Sequence, residues 1–411
     1  MSTPSVAERF DPRLPDFTAQ RFALLAQLRA DAPVTFLPAL HVWAVTRWQE
    51  VRDVLGNPAD FVSSEAYSAA VHLAPEALQI LPLSSPLFAL SIINVDGTQH
   101  ARLREPLMAA FSPKRIESLA STVAADIDDL LASLAESGPD ADLMAAFCKP
   151  LPLQTICRLF GIPLADAEQL RGWSDAFIAF QIPGLPVEAQ VGAAYGLRSL
   201  EAYLRAMIVE KAAAPDDGLI SALVAARAAR ENDLSDDELV ADIASVFFAG
   251  HETTINTLGN AFHSLLSQRD QWEAVASGAA NADTLTDELL RHDTSVMGLY
   301  RRAAADTQIG GVSIPEGATL WVSYGAANRD PAKFDDPETL RGDRENARQH
   351  LAFGAGQHYC IGASLARLQI REAVTRTAQR FPAMRLAPGA FVPEIPHHAL
   401  RAPIMLSVVL A

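Results

Sequence analysis

The feature that most constrains the fold of this 411-residue sequence is a glycine-rich loop that contains a single cysteine. Cys360 lies within Phe353–Gly362, and a helical pattern starts directly behind it at Ala363. Glycines such as Gly354 and Gly362 permit positive φ and let the backbone approach another group closely. The positive end of the following helix favours a thiolate over a neutral thiol. The loop therefore predicts a thiolate held still against a large, flat ligand.

Two interpretations of this cysteine compete. A lone cysteine in a glycine turn is most often a buried structural residue. A cysteine thiolate is also one of the few axial ligands of haem iron. The segment matches the pattern Phe-x-x-Gly-x-x-x-Cys-x-Gly, and in this the chain resembles the cytochrome P450 family. The resemblance implies haem b as the cofactor, with Cys360 as its axial thiolate and metal ligand, and with cofactor-binding roles for Phe353, Gly354, His358 and Gly362.

The composition narrows the class of protein. Hydrophobic residues make up 49% of the chain and charged residues 20%, which is ample for a core and ordinary for a soluble protein. The net charge of −16 argues against a nucleic acid or an anionic membrane as partner. The three cysteines form no disulfide framework, which fits the reducing cytoplasm. No stretch of about 20 apolar residues is present, so we expect no membrane anchor, as in the soluble bacterial members of the family.

Helical periodicity dominates the sequence, and strand-like segments are few. Helices are predicted at roughly 18–30, 47–55, 98–110, 115–136, 166–180, 188–213, 235–268, 284–292 and 363–380. An early hairpin at 34–46 and a second group of strands at 307–324 are bounded by turn residues. We therefore expect a mainly α protein with small β-sheets (α+β), in agreement with the cytochrome P450 fold. The expected organisation is one domain over 1–411, β-rich at roughly 30–50, 300–325 and 385–411.

One predicted helix is much longer than the others. Ser235 and Glu238 form a capping box at its start, and the pattern continues to about Gln268. Such a helix is roughly 50 Å long, and its apolar middle indicates a central position. That middle contains the segment Ala249–Thr254, whose glycine, acid and threonines are poor helix formers. A kinked core helix with a solvated glutamate is one explanation.

The resemblance gives the same segment a function. It implies an oxygen-binding groove over the haem, with Ala249 at the cofactor and with Glu252 and Thr253 as a catalytic acid–alcohol pair. The alcohol would hold dioxygen by a hydrogen bond, and the acid would relay protons from solvent into an otherwise dry site.

A second pair, Glu288 and Arg291, matches the Glu-x-x-Arg of the family, and the resemblance implies a buried structural role beside the cysteine loop. Spacing alone says little, because such pairs are common on exposed helices. Family members often add an arginine to the pair, and Thr339 stands at that place here. Arg341, Arg344 or backbone carbonyls remain as candidate third partners.

The resemblance also implies partners for the two haem propionates and a lining for the substrate pocket. The propionate candidates are His100, Arg104, Arg301 and His358, with Arg302 as an exchange for Arg301. The alternative for each is an ordinary surface charge. The candidate pocket residues are all apolar, so they favour a hydrophobic substrate held by shape; they are Leu90, Ile92, Phe177, Phe180, Phe248, Val296 and Met297. The alternative for these is plain core packing.

The functional expectation is a monooxygenase that inserts one oxygen atom from O2 into an apolar small molecule, usually as hydroxylation. The sequence contains no flavin or iron–sulfur motif. By resemblance, electrons would come from NAD(P)H through a ferredoxin reductase and a ferredoxin. A basic patch would receive the ferredoxin, formed by Arg102, Lys114, Arg115, Arg367 and Arg371. We expect a monomer. The alternatives are a peroxide-using or non-oxygenating haem-thiolate enzyme and, without support from any signalling domain, a haem sensor.

Overall fold

The chain forms two compact units, each assembled from separated segments. The structure is a computed structural model that describes residues 4–64, 66, 73–180, 185–229 and 233–410, with only the backbone of 178 and 179. The first unit comprises Met1–Val62, Ala120–Leu151 and Thr253–Ala411. The second unit comprises Ser63–Leu119 and Pro152–Glu252.

Helices dominate both units, as the sequence predicts. In chain order they are α1 (Val6–Arg9), α2 (Phe17–Asp31), α3 (Trp48–Gly56), α4 (Pro75–Ile80), α5 (Pro86–Ala89), α6 (Gly97–Ala110), α7 (Pro113–Glu136), α8 (Pro150–Phe160), α9 (Ala167–Ala179), α10 (Val187–Ala213), α11 (Leu219–Ala228), α12 (Asp236–Ser267), α13 (Arg269–Ala276), α14 (Ala282–His292), α15 (Tyr324–Ala327) and α16 (Ala363–Arg380). Each predicted helical range matches one of these to within two residues at either end. The sequence analysis missed α8, α11, α13 and the shorter helices.

Among the residues that the structure describes, the strands all belong to the first unit. They are β1 (Val34–Leu37), β2 (Val42–Val45), β3 (Phe61–Val62), β4 (Asp140–Asp142), β5 (Leu299–Ala303), β6 (Thr307–Ile309), β7 (Val312–Ile314), β8 (Thr319–Val322), β9 (Arg385–Leu386) and β10 (Ser407–Val409). A five-stranded sheet has the order β1-β2-β8-β5-β3, in which β2 and β8 run parallel with Val45 opposite Val322. A smaller sheet has the order β4-β10-β9, and β6 pairs with β7. The predicted hairpin and the second strand group are present, whereas β3 and β4 were not predicted.

A hydrophobic cluster joins the larger sheet to the start of the cysteine loop. Leu320 and Val322 of β8 contribute to it, together with Leu55 of α3 and with Leu351. All four side chains are buried, and Ala355 of the loop packs against the same cluster. The core of the first unit therefore fixes the segment from which the loop departs.

Helix α12 has the predicted capping box. The N–H of Ser235 donates to the Glu238 carboxylate at 2.9 Å, and the N–H of Glu238 donates to the Ser235 hydroxyl at 3.2 Å. The helix contains 32 residues, and Leu239–Ala244 and Val246–Phe248 are buried along its first half. Among the described residues, no helix is long and apolar enough to cross a membrane.

Candidate active site

The cysteine loop has the backbone that two of its glycines predict. Gly354 and Gly356 have φ values of 68° and 70°, in the left-handed region that favours glycine, whereas Gly362 has a φ of −86°. A Cβ atom on Gly356 would overlap the carbonyl oxygen of Leu55, so the loop also needs glycine there to lie against α3. The N–H of Cys360 donates to the carbonyl of Phe353 at 3.0 Å and closes the loop. Helix α16 then begins at Ala363, three residues after the cysteine.

The three cysteines differ in accessibility. Cys148 and Cys157 are fully buried, and burial raises the pKa of both thiols, that of Cys157 to about 12. Cys360 is half-buried, and all three cysteines are free of disulfides. A buried thiol with a raised pKa stays neutral and does not bind a metal. Cys360 is therefore the cysteine whose position suits a thiolate ligand.

Glu288 and Arg291 form a fully buried ion pair, as expected for a structural pair. The Arg291 Nε donates to Glu288 Oε2 at 2.7 Å, and Nη2 donates to Oε1 at 2.8 Å. Arg344 is the third partner, since its Nε lies 3.0 Å from both carboxylate oxygens of Glu288. The backbone N–H of Arg341 adds a fourth donor at 2.9 Å. The structure therefore resolves the open choice: Arg344 supplies the guanidinium that position 339 lacks.

Backbone carbonyls complete this network. Arg344 donates to the carbonyls of Asp336 and Thr339 at 3.1 and 3.0 Å, and Arg291 donates to that of Pro337 at 2.9 Å. Thr339 thus contributes its main chain rather than its side chain. The cluster ties α14 to the segment that precedes the cysteine loop.

Two buried acids escaped the sequence analysis. Burial alone would raise the pKa of Asp293, but Arg401, His292 and Arg329 outweigh it and hold that pKa well below its usual value. Asp242 in α12 is the opposite case: burial, and to a lesser degree Glu238, raise its pKa to about 8. Within the described part of the chain, neither carboxylate oxygen of Asp242 has a hydrogen-bond partner. Asp242 lies within α12 and Asp293 directly after α14, and neither is part of a sequence motif, so only tertiary contacts reveal them.

Helix α12 loses its burial at the predicted oxygen-groove segment. Ala249 is exposed and Glu252 and Thr253 are half-buried, although Phe248 before them and Thr254 after them are buried. A Cβ atom on Gly250 would lie 2.6 Å from the Ile156 side chain, so glycine allows α8 to approach closely. Ala249 is the only exposed residue between Glu238 and Leu266 of this helix, which fits a segment that faces a bound group.

Glu252 and Thr253 have well-defined surroundings. The Glu252 side chain is 16% exposed and its Oε1 lies 3.4 Å from Nε2 of the buried His251. The Nδ1 of that histidine lies 2.6 Å from the carbonyl of Phe247, to which it donates. The Thr253 carbonyl accepts hydrogen bonds from the hydroxyls of Thr257 and Ser295, at 2.7 and 3.1 Å. These contacts fix the helix on either side of the proposed acid and alcohol.

The propionate candidates are divided between the two units. In the second unit, His100 is buried and Arg104 half-buried, four residues apart on α6. In the first unit, Arg301 is buried in β5 and donates to the Tyr300 carbonyl at 2.7 Å. His358 is half-buried at the end of a short 3-10 turn.

The predicted pocket residues fall into two groups. In the second unit, the rings of Phe177 and Phe248 stack at 4.2 Å, and Phe180 contacts Phe88 edge-on at 6.2 Å. Leu90 is half-buried and Ile92 is buried in the same unit. In the first unit, Val296 is half-buried. Met297 is fully buried in a cluster with Phe10 and Trp321, an environment that agrees with the core alternative.

Comparisons with known proteins identify the family. The family model for cytochrome P450 matches residues 188–277 and 283–400, which is half of the chain. The chain belongs to the cytochrome P450 family. Cytochrome P450 107B1 of Saccharopolyspora erythraea is 35% identical over 85% of this chain and 84% of its own length. The cytochrome P450 monooxygenase PikC of Streptomyces venezuelae is 34% identical over 92% of this chain and 88% of its own.

Solved structures agree with this assignment. Cytochrome P450 CREJ, solved in complex with (4-ethylphenyl) dihydrogen phosphate, is 30% identical and has a TM-score of 0.87. The match covers 94% of this chain and 96% of that one. The protein is thus an oxidoreductase with the cytochrome P450 fold, a monooxygenase that binds haem b through a cysteine thiolate and uses O2 and redox partners. In the first unit, the half-buried Cys360 in its glycine-rich loop fits that group.

Proposed function

We propose that this cytochrome P450 inserts one oxygen atom from O2 into an apolar small molecule, by hydroxylation, with electrons from NAD(P)H. The observation that carries the proposal is the acid–alcohol pair, Glu252 and Thr253, at the place where α12 becomes accessible. Peroxide-using relatives of the family commonly lack such a pair. The other oxygen atom leaves as water, so each turnover consumes two electrons and two protons.

The chain's own residues divide the work of holding the cofactor. Cys360 would hold the haem iron through its thiolate, whose negative charge the N-terminal end of α16 stabilises. Phe353, Gly354 and Gly362 shape the loop around it. His100, Arg104, Arg301 and His358 would donate hydrogen bonds to the propionates. Haem, when bound, supplies the iron at which dioxygen is activated.

Glu252 and Thr253 deliver protons. The Glu252 carboxylate is partly exposed, so it takes up protons from solvent, and the neighbouring Thr253 hydroxyl passes them into the site. Ala249, which lacks bulk, leaves space for the cofactor. The hydrogen bonds to the Thr253 carbonyl keep the helix in place, which preserves the position of its hydroxyl.

The residues around the proposed site support an apolar substrate and a ferredoxin as electron donor. In the second unit, the stacked Phe177 and Phe248 form the proposed apolar lining, together with Leu90, Ile92 and Phe180. In the first unit, the half-buried Val296 stays a proposed pocket residue, whereas Met297 belongs to the core. The proposed electron donor is a ferredoxin, which is reduced by a NAD(P)H-dependent reductase. Arg367 and Arg371 already form ion pairs with Asp287 and Asp283, which partly neutralise their charges. The exposed Lys114 should therefore contribute more to the binding of a ferredoxin than either arginine. The three cysteines form no disulfide, which supports a cytoplasmic location, and a monomer is proposed by resemblance to the family.

A spectroscopic titration tests the substrate class. The ferric Soret band of the purified protein is recorded while apolar compounds of several chemical classes are added. A blue shift with one class, as water leaves the iron, supports the proposal and identifies the substrate. No shift with any free compound contradicts a free apolar substrate.

Two variants test the proton relay. Thr253→Ala should lower the product formed per NAD(P)H consumed, whereas Thr254→Ala, on the same helix, should leave that ratio unchanged. An unchanged ratio in Thr253→Ala would refute the relay. Turnover with hydrogen peroxide that matches turnover with the ferredoxin system would favour the peroxide-using alternative.

A further inference from the structure

Phe353, the first residue of the cysteine loop, lies among three polar or aromatic side chains. The Arg367 guanidinium lies 4.7 Å from the centre of its ring, a cation–π distance. The rings of His350 and Tyr359 lie 5.5 and 6.4 Å from the Phe353 ring, both steeply inclined to it. Arg367 also reaches the Tyr359 hydroxyl at 3.5 Å. Arg367 therefore contacts the loop at two places, at its first residue and at the residue before Cys360.

One carboxylate oxygen on α14 holds two of these three side chains. The Arg367 Nε donates to Asp287 Oδ1 at 2.7 Å, and Nε2 of His350 lies 3.4 Å from the same oxygen. The N–H of Ala352 donates to His350 Nδ1 at 3.1 Å, so Nδ1 is the acceptor. The neutral imidazole then carries its proton on Nε2, directed at Asp287.

Asp287 remains charged in this partly buried place. Its side chain is 12% exposed, and those of Arg367 and His350 are 24% and 1% exposed. Burial alone would raise the pKa of Asp287, but the nearby His350 and Arg367 lower it. Asp287 therefore anchors Arg367 by a charge-assisted hydrogen bond and attracts the Nε2 side of His350 through its charge at 3.4 Å.

We propose that Asp287 is a positioning residue for the haem ligand. Through Arg367 and His350 it fixes Phe353, whose carbonyl accepts the Cys360 N–H at 3.0 Å, and so fixes the thiolate. Hydrogen bonding and exposure around the sulfur set the reduction potential of a haem-thiolate iron. Asp287 therefore tunes that potential without touching the cofactor. The inference rests on the proposed role of Cys360 as the axial ligand.

The experiment uses the holoenzyme and a matched control pair. Asp283 and Arg371 lie on the same two helices, one turn away from Asp287 and Arg367, and pair at 3.0 Å in an exposed position. The iron reduction potential is measured for Asp287→Asn, Arg367→Gln and the double variant. The same is done for Asp283→Asn and Arg371→Gln, which make the same charge changes.

We expect both variants of the inner pair to shift the potential in the same direction, although they remove opposite charges. The expected size is a threefold to tenfold change in the one-electron equilibrium, the latter being about 59 mV. The double variant should shift no further than either single variant, because the pair acts as one unit. The control pair should leave the potential unchanged, and Asp287→Glu should restore it.

Several outcomes would overturn the inference. Shifts of opposite sign would mean that the two charges act directly, and equal shifts in the outer pair would mean a general surface effect. If Asp287→Asn cannot be purified with haem bound, the reduction potentials of Arg367→Gln and Arg371→Gln are compared instead. Equal potentials in these two variants would overturn the inference. A wild-type protein without a thiolate-type Soret band in its ferrous–CO complex would refute the role of Cys360 instead. A normal wild-type band with unshifted variants would refute only the role of Asp287.

Discussion

Removal of the Arg344 guanidinium should destabilise the protein by about 3–5 kcal/mol, the usual cost of breaking a buried ion pair. Arg344 is 1% exposed and its Nε donates to both oxygens of Glu288, which is fully buried. It also donates to three backbone carbonyls, those of Asp335, Asp336 and Thr339. Hydrogen bonds from a charged donor contribute about 1.5–3 kcal/mol each. The variant also avoids the free-energy cost of burying the Arg344 charge, and this gain offsets part of the summed loss of hydrogen bonds.

The measurement is a urea titration of the holoenzyme, followed by circular dichroism, for Arg344→Met. Methionine keeps much of the volume and removes every donor. Arg341→Ala is the matched control, because it removes only an exposed side chain outside the Glu288 network. The hydrogen bond from the Arg341 backbone N–H to Glu288 is retained. The control should stay within about 0.5 kcal/mol of the wild type. A loss below about 1 kcal/mol in Arg344→Met would show that Arg291 alone satisfies Glu288.

Other positions should also respond measurably. The folded Asp242 holds its proton up to about pH 8, whereas an unfolded aspartate releases it near 3.8, so stability falls as pH rises between these values. Asp242→Asn should abolish that fall and gain about 2–4 kcal/mol in urea unfolding at pH 7.5; a loss at that pH would contradict this. Burial, with neighbouring positive groups, holds the pKa of His398 well below 6.5, so stability falls as pH drops below 6.5. His398→Gln should flatten thermal stability between pH 6.5 and 5, and an unchanged slope would exclude His398 as its source. Gly311→Ala should cost about 1–2 kcal/mol for its positive φ. Gly356→Ala should cost more, because its Cβ would also overlap Leu55, and equal losses in urea unfolding would disprove the clash.

The long helices were predictable because their periodicity and end signals agree. The capping box of Ser235 and Glu238 marks the start of α12 in the sequence, and the structure confirms both of its hydrogen bonds. The strand β4 was not predictable, since Asp140–Asp142 has neither alternation nor β-branched residues and pairs only because β10 lies beside it. Short helices such as α15 have too few residues to show a period.

The chemistry of the site divides in a similar way. The Cys360 loop is contiguous, so its glycines and its cysteine are visible together in the sequence. The partner of Glu288 is not contiguous: Arg344 follows it by more than fifty residues, and spacing alone left Arg341 equally plausible. Asp287 was passed over because an acid before the Glu-x-x-Arg pair resembles any exposed helical acid. Its contacts with His350 and Arg367 exist only in the folded chain.

The parallel pairing of β2 with β8 has a consequence for how the protein is made. Val45 and Val322 are roughly 280 residues apart in sequence. At about 5–20 residues per second, a ribosome needs roughly 15–55 s to synthesise the chain between them. During that interval the β1–β2 hairpin has left the ribosome with its β2 edge still unpaired, and an unpaired strand edge can pair with other nascent chains. Translation that stalls before Thr319 therefore leaves an aggregation-prone truncated chain. Chaperones that cover the β2 edge should increase the yield of soluble enzyme.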